Sequence, residues 1–235
     1  MYCLFPKSFW PALLIIYSFV VLAVLKLCDI FDFSEITIFR LLALVVVFAV
    51  TYFLGASFHY SGWRMIWRKF PALNKLLFPD LNGIWLGSSN SNWPVIKQMK
   101  DRALSDEKIT EEELEKIDLQ HDDMAIEIKA SLFKIKVLGK LSSTNGNSYS
   151  LSSTMYKKED AELVNLAYIY EQVTPDPKRM DQDTHIGAAS LSWNACVPNE
   201  LTGVYWTRRS WRQGLNTAGR INLKKSVGKS NAKNH

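Results

Sequence analysis

Two long apolar runs near the amino terminus constrain the folding of this chain more than any other feature. The first is Phe9–Leu27, whose one charge is Lys26, and the second is Ile36–Phe58, whose one charge is Arg40. A helix of about 20 apolar residues crosses the roughly 30 Å hydrocarbon layer of a bilayer, and charges near helix ends can reach the interface. Because the joint Cys28–Glu35 is short, the runs predict a two-helix transmembrane hairpin.

A signal peptide for the first run and a buried core helix for the second are the alternative interpretations. No small-residue cleavage pattern follows the first run, which disfavours a signal peptide. The second run is too long, with its charge at one end, to be typical of a core helix. Lys7 precedes the runs, and Arg64, Arg68 and Lys69 follow them without a nearby acid. The positive-inside rule therefore predicts that both termini are cytoplasmic.

Residues 1–60 are thus assigned to the hairpin and residues 61–79 to an amphipathic juxtamembrane linker. The apolar positions of the linker share one helix face: Trp63, Ile66, Trp67 and Phe70. Basic residues alternate with these positions, so the linker is predicted to be a helix that lies on the inner leaflet.

Residues 80–226 change to short strands with a period of two, separated by turn signals. About seven regularly spaced strands are typical of an antiparallel barrel or sandwich. Gly83-Ile84-Trp85 favours the barrel, because the glycine lets the strand coil and the indole can fill one end. Pro94–Leu119 is rich in helix formers, with Ser105 or Thr110 as the N-cap of a second helical segment. The predicted fold is a two-helix transmembrane hairpin followed by a mostly antiparallel β-barrel with a helical insertion after the first strand.

One hairpin of the barrel has a strong turn signal, Asn145-Gly146, because both turn positions tolerate positive φ. On the return strand, alternation places four residues on one face: Tyr149, Leu151, Ser153 and Met155. The sequence therefore predicts two neighbouring antiparallel strands here.

The motifs of common enzymes are absent from the sequence, and we expect a protein that is not an enzyme and that needs no cofactor or metal. The four histidines are scattered and the three cysteines lie far apart. The net charge is +5, and the region 203–235 holds bases but no acid. Such a region can serve anionic lipid, nucleic acid or a phosphorylated small ligand. The basic residues 227–235 are predicted to be a disordered tail.

The stretch Leu201–Leu223 contains the residues best suited to hold a nucleotide. Strand alternation places Tyr205 and Thr207 on one face, and Tyr168 and Tyr170 share a face of another strand. Tyrosine, threonine and arginine supply a stacking surface, a hydroxyl and a guanidinium fork, which suit a base and a phosphate. Filling of the barrel interior is the alternative role for such side chains.

The barrel region also resembles a known family, the CD-NTase-associated transmembrane β-barrel effectors of CBASS antiphage operons. The segments that carry the resemblance are Asp80-Leu81-Asn82-Gly83-Ile84-Trp85, Leu166-Ala167-Tyr168-Ile169-Tyr170, His185-Ile186-Gly187, Leu201-Thr202-Gly203-Val204-Tyr205-Trp206-Thr207-Arg208-Arg209 and Thr217-Ala218-Gly219-Arg220-Ile221. Together with the predicted hairpin, they cover nearly the whole chain. Two features depart from the family pattern, Arg208 and the lengthened loop Ser210–Asn216.

The resemblance implies that the barrel senses a cyclic dinucleotide made by a partner nucleotidyltransferase. It implies self-association on ligand binding, contact with lipid, a bacterial inner-membrane location with a cytoplasmic barrel, and membrane disruption that kills the infected cell. No direct nucleic-acid partner is implied. The ligand contacts carried over are Tyr168, Tyr170, Tyr205, Thr207, Arg209 and Arg220. The alternative functions are a membrane-tethered, lipocalin-like barrel for an apolar or lipid ligand and a nucleic-acid binder that uses the basic tail.

Overall fold

The computed structural model describes residues 17–24, 26–27, 35–48, 62–105, 108–131, 134–143, 145–157, 163–175, 177 and 183–226. The chain divides into two compact units. The first combines Met1–Asp80 with Ala130–Lys134, and the second combines Leu81–Lys129 with Ile135–His235. The predicted disordered tail, 227–235, lies outside the described residues.

The first unit contains helix α1 (Glu35–Phe48), helix α2 (Trp63–Lys69) and the short helix α3 (Leu73–Leu76). Residues 17–24 and 26–27 are also helical.

The predicted transmembrane hairpin is wrong, because no helix among the described residues is long and apolar enough to cross a membrane. Helix α1 has 14 residues, and at about 1.5 Å per residue it rises roughly 21 Å, which is short of the roughly 30 Å that a bilayer core requires. Positions 9–16 and 49–58 of the two apolar runs lie outside the described residues.

Helix α2 forms as the spacing of its aromatic residues predicts, but its aromatic face packs against protein. Trp63 and Trp67 meet edge to face with ring centroids 5.1 Å apart, and the Phe78 ring lies 5.0 Å from that of Trp67. The indole N–H of Trp67 donates to the Phe78 carbonyl oxygen at 2.8 Å. Trp63 and Trp67 are buried, whereas Met65 and Phe70 are exposed. The tryptophans therefore belong to a local core.

The second unit is a closed barrel in which each strand neighbours the next and β8 closes against β1. The strands are β1 (Gly83–Ser91), β2 (Gln120–Ala130), β3 (Ile135–Leu141), β4 (Asn147–Lys157), β5 (Leu163–Val173), β6 (Thr184–Asn194), β7 (Glu200–Arg208) and β8 (Ala218–Lys225). The closing pair, β1 and β8, is antiparallel, with Ser89 opposite Ile221. The barrel part of the predicted fold is therefore confirmed.

The predicted helical insertion is present between β1 and β2, as helix α4 (Trp93–Ser105) and helix α5 (Glu111–Glu115). Thr110 is the N-cap of α5 and forms a capping box with Glu113. Arg102 on α4 donates to the Glu113 carboxylate at 3.1 Å, which joins the two helices. Glu113 therefore both caps α5 and joins it to α4.

The end of the barrel where β1 begins is filled by apolar side chains. Trp85 is fully buried, and its indole N–H donates to the Leu81 carbonyl oxygen at 2.9 Å. The other buried side chains towards this end include Ile128, Val137, Met155, Leu166, Leu191, Trp193, Leu201 and Leu223. The structure therefore places Trp85 where the Gly83-Ile84-Trp85 pattern predicts, as a plug of this end.

The strand pair β3–β4 follows the turn prediction but not the predicted alternation. Asn145 has a φ of 48°, and Leu141 donates its backbone N–H to the Gly146 carbonyl oxygen at 3.0 Å. On β4 the register shifts between Ser150 and Ser152. This bulge reverses the facing of the strand, so that Leu151 is exposed and Met155 is buried.

Candidate functional site

The inward-facing residues of the barrel change from apolar to polar towards one end. On β5 the buried sequence runs from Val164 and Leu166 to Tyr168, Tyr170 and Gln172. Strand β7 repeats the change, from buried Leu201 at its start to Thr207 at its end. Side chains on alternate positions of a strand share a face, so the gradient produces one polar half of the barrel opposite the apolar plug.

A cavity lined by described residues occupies this polar half. Its polar and aromatic lining includes Ser89, Ser91, Gln120, Asp122, Tyr168, Tyr170, Gln172, His185, Tyr205, Thr207, Arg209 and Thr217. The space open to the centres of water molecules is about 170 Å³, whereas one water needs roughly 10–15 Å³ by that measure. The interior is therefore roomy enough to hold more than an isolated water.

Five of the six ligand contacts predicted from the sequence come together on this cavity: Tyr168, Tyr170, Tyr205, Thr207 and Arg209. The sixth, Arg220, is exposed on β8, while its neighbour Ile221 is buried and lines the cavity. Since adjacent strand residues point to opposite faces, Arg220 lies on the outer surface. That any of the six binds a ligand stays a prediction.

Two glycines give the tyrosine rings their space. A Cβ atom at Gly187 would overlap the phenol of Tyr170, and one at Gly219 would lie 2.8 Å from a ring carbon of Tyr205. Tyr168 and Tyr170 lie side by side with centroids 5.8 Å apart. The glycines of β6 and β8 therefore allow aromatic faces to cross the barrel interior.

A pair of threonines ties the end of β7 to the start of β8. The hydroxyl oxygens of Thr207 and Thr217 lie 2.8 Å apart, and the Thr217 backbone N–H donates to the Thr207 hydroxyl at 3.0 Å. Next to them, the Arg209 backbone N–H donates to the Asn216 side-chain oxygen at 3.1 Å. These bonds fix the segment from which the Arg209 side chain reaches the cavity.

The charges of Arg209 and Asp122 both act on the cavity tyrosines. Burial raises the pKa of Tyr205, the hydrogen bond to Ser91 partly offsets this, the Asp122 carboxylate raises the pKa further, and the Arg209 guanidinium lowers it. Burial also raises the pKa of Tyr170, which Arg209 partly offsets. Arg209 therefore places a positive charge where an anionic group bound beside the phenols would meet it.

Sequence reasoning missed the contribution of β1 and β2 to this site. Gln120 and Asp122 follow directly after the predicted helical stretch Pro94–Leu119, and neither they nor Ser91 are among the predicted ligand contacts. The signal was the alternation Gln120, Asp122, Met124, Ile126 and Ile128, which all face inward. Extending the period-two pattern four residues upstream of Met124 would have placed Asp122 inside the barrel.

The tyrosine rings of the cavity can stack on a flat ring, the hydroxyl groups can donate hydrogen bonds, and Arg209 can pair with an anion. Phenol faces support base stacking, and a guanidinium matches a phosphate with two parallel hydrogen bonds. Within the part of the chain that the structure describes, no group of three metal-ligating side chains could hold an ion.

Raising the pH is expected to destabilise the barrel through its buried phenols. Burial raises the pKa of Tyr168 well above its usual value, so its contribution to stability is complete below pH about 10, the value in the unfolded chain. Above that pH the unfolded state loses the proton first, and the free energy of unfolding falls. Urea titrations from pH 9 to 11 should show a shallower fall for Tyr168→Phe. The control is Tyr149→Phe, on the exposed outer face; a slope that both variants leave unchanged contradicts the prediction.

Comparisons with known proteins place this chain in a family. CD-NTase-associated protein 15 of Escherichia albertii is 30% identical over 166 residues, which cover 70% of this chain and 72% of that protein. The chain belongs to the family of CD-NTase-associated protein 15. The resemblance to CD-NTase-associated barrel proteins is thereby confirmed at the level of the family. No protein-family profile matches the chain, and neither does any solved structure.

Proposed function

We propose that this protein acts in cyclic-oligonucleotide antiphage signalling and that its barrel binds a cyclic dinucleotide. The observation that carries the proposal is the polar half of the barrel, where Tyr168, Tyr170 and Tyr205 line one cavity with Arg209. A cyclic dinucleotide has two bases, which stack on aromatic rings, and two phosphates, which pair with a cation, so its site needs both close together. Base stacking on an aromatic side chain contributes about 1–3 kcal/mol per base.

Family membership supports the proposal that a CD-NTase makes the ligand. The name of the Escherichia albertii relative states that it is associated with a CD-NTase. In our proposal such a nucleotidyltransferase makes the cyclic dinucleotide, and this protein receives it. The expectation that the protein is not itself an enzyme stays a prediction.

The lining of the cavity favours a nucleotide over the apolar or lipid ligand of a lipocalin-like barrel. Most of the residues that face the cavity carry hydroxyl, amide, imidazole or charged groups. Burying these groups against an acyl chain would remove their hydration without replacing it, which is unfavourable for each group left without a hydrogen bond.

Thermal unfolding of the full-length protein with a panel of cyclic dinucleotides tests the proposal. A ligand at 100 times its Kd stabilises the folded state by about 2.7 kcal/mol, which corresponds to a rise in Tm of roughly 5–10 °C for a domain of this size. We expect one or more cyclic dinucleotides to give such a rise and a fatty acid to give none. A panel without any shift, or a shift with the fatty acid alone, contradicts the proposal.

Self-association on ligand binding is a further part of the proposal. Two exposed apolar side chains lie close together on the outer face, since Ile169 on β5 and Trp206 on β7 are both opposite Ala188 on β6. Such a surface can pack against a second copy. Sedimentation of the protein with and without ligand measures this directly, and an unchanged sedimentation coefficient contradicts it.

Action at the cytoplasmic face of the inner membrane, with loss of membrane integrity as the output, also belongs to the proposal. Support comes from the first unit, where Arg68, Lys69 and Lys75 accompany exposed Met65 and Phe70. Bases mixed with apolar tips attract anionic lipid. Dye release from anionic vesicles that carry the protein tests the output. Release that does not depend on cyclic dinucleotide counts against this part.

A further inference from the structure

Asp122 is the feature of the cavity that phosphate binding does not explain. Its side chain lines the same cavity as Arg209, and a carboxylate repels a dianionic ligand. Gln120 donates its amide N–H to one Asp122 carboxylate oxygen at 2.7 Å, and the carboxylate forms no ion pair within the described part of the chain. The carboxylate is thus held in the cavity lining by a neutral partner.

Asp122 lies near the ring of Tyr205, on which a base could stack. In the β1–β2 pair, Asp122 is opposite Ser89 and Gln120 is opposite Ser91. The Tyr205 side chain hydrogen-bonds to Ser91, and both the Asp122 and the Arg209 charges act on its phenol. Tyr205 therefore lies near both a carboxylate and a guanidinium. A nucleobase that rests on this ring can offer its edge to one and its phosphate to the other.

The chemistry of base edges selects among ligands. Guanine presents two adjacent donors, N1–H and the 2-amino group, which match the two oxygens of a carboxylate. Adenine and cytosine each place a ring acceptor beside their amino group, and uracil places carbonyl oxygens on both sides of its N–H. A carboxylate repels those acceptors. Hydrogen bonds to a charged partner are also about twice as strong as neutral ones.

Resting on the proposed function, we propose that Asp122 recognises the N1–H and 2-amino edge of a guanine base stacked on Tyr205, so that the barrel selects a guanine-containing cyclic dinucleotide. Gln120 is the positioning residue that orients the carboxylate. The negative charge of Asp122 then makes the barrel selective for guanine, because it favours that base edge while Arg209 binds the phosphate.

Calorimetric Kd values for the full-length protein with cyclic di-GMP, cyclic di-IMP and cyclic di-AMP test this inference. Hypoxanthine, the base of cyclic di-IMP, lacks only the 2-amino group of guanine. We expect cyclic di-GMP to bind about 10- to 100-fold tighter than cyclic di-AMP, with cyclic di-IMP between them. The variant Asp122→Asn should lose this preference, since an asparagine amide matches the donor–acceptor edge of adenine. The control Asp123→Asn lies on the outer face with its side chain 80% exposed and should keep the wild-type order.

The outcomes separate the two proposals. Cyclic dinucleotides that bind the wild type without preferring guanine overturn the role of Asp122 and leave the proposed function standing. An Asp122→Asn variant that binds all three ligands more tightly by one common factor also overturns it, because the carboxylate then acts by charge alone. If no cyclic dinucleotide binds the wild type, the proposed function fails and this inference fails with it. The wild-type series decides even if the variant does not fold.

Discussion

Replacing Arg209 with alanine is expected to weaken the binding of a cyclic dinucleotide by about 10- to 150-fold. A charge-assisted hydrogen bond contributes about 1.5–3 kcal/mol, and each 1.4 kcal/mol is about tenfold in Kd. Arg209 lines the cavity, and its charge acts on Tyr170 and Tyr205. The loss should therefore appear in the affinity, measured by calorimetry with a ligand that stabilises the wild type.

The neighbouring Arg208 offers a matched control. Its side chain is exposed and lies on the outer face, because Thr207 before it is buried in the barrel. Arg208→Ala removes the same charge and much the same volume one residue away, so general electrostatic attraction changes equally in both variants. We expect Arg208→Ala, and Arg220→Ala on the outer face of β8, to bind within about twofold of the wild type. Equal losses at Arg208 and Arg209 would place the ligand outside the cavity.

Replacing Trp85 with alanine is expected to destabilise the barrel by about 3–5 kcal/mol, as large-to-small changes in a core do. Trp85 is fully buried, and the change also removes the hydrogen bond to the buried Leu81 carbonyl oxygen. Small domains have total stabilities of about 5–15 kcal/mol, so this variant should lose much of its stability. Urea unfolding followed by circular dichroism measures the difference.

Trp206 is the control for this change, because it is 51% exposed on the outer face of β7. Trp206→Ala removes the same side chain from the barrel surface and should alter the free energy of unfolding by less than about 1 kcal/mol. Similar losses in the two variants would show that Trp85 does not hold the apolar end together.

Where the strands are regular, their period-two alternation predicted which side chains face the barrel interior. Alternation alone placed Tyr168 with Tyr170 and Tyr205 with Thr207, and all four face the cavity. The same rule separates Arg220 from them, since its neighbour Ile221 faces inward. The resemblance had grouped Arg220 with the contacts by motif, and a motif does not record which face of a strand a residue occupies.

The β4 register shift and the helix bounds in the first unit could not be predicted from hydropathy and alternation. The register shift between Ser150 and Ser152 reverses the facing of β4 without a sequence signal such as glycine or proline. The apolar run Ile36–Phe58 has the length of a membrane helix, but no helix among the described residues is long and apolar enough to cross a membrane. Hydropathy reports how apolar a segment is and does not by itself give the bounds of a helix.

A crystal structure of the full-length protein with the bound cyclic dinucleotide tests the central claim most directly. We expect the ligand in the polar half of the barrel, with a base against Tyr168, Tyr170 or Tyr205 and a phosphate oxygen within about 3 Å of the Arg209 guanidinium. A cyclic dinucleotide bound on the outer surface, with the cavity between these tyrosines left without ligand, would contradict the account.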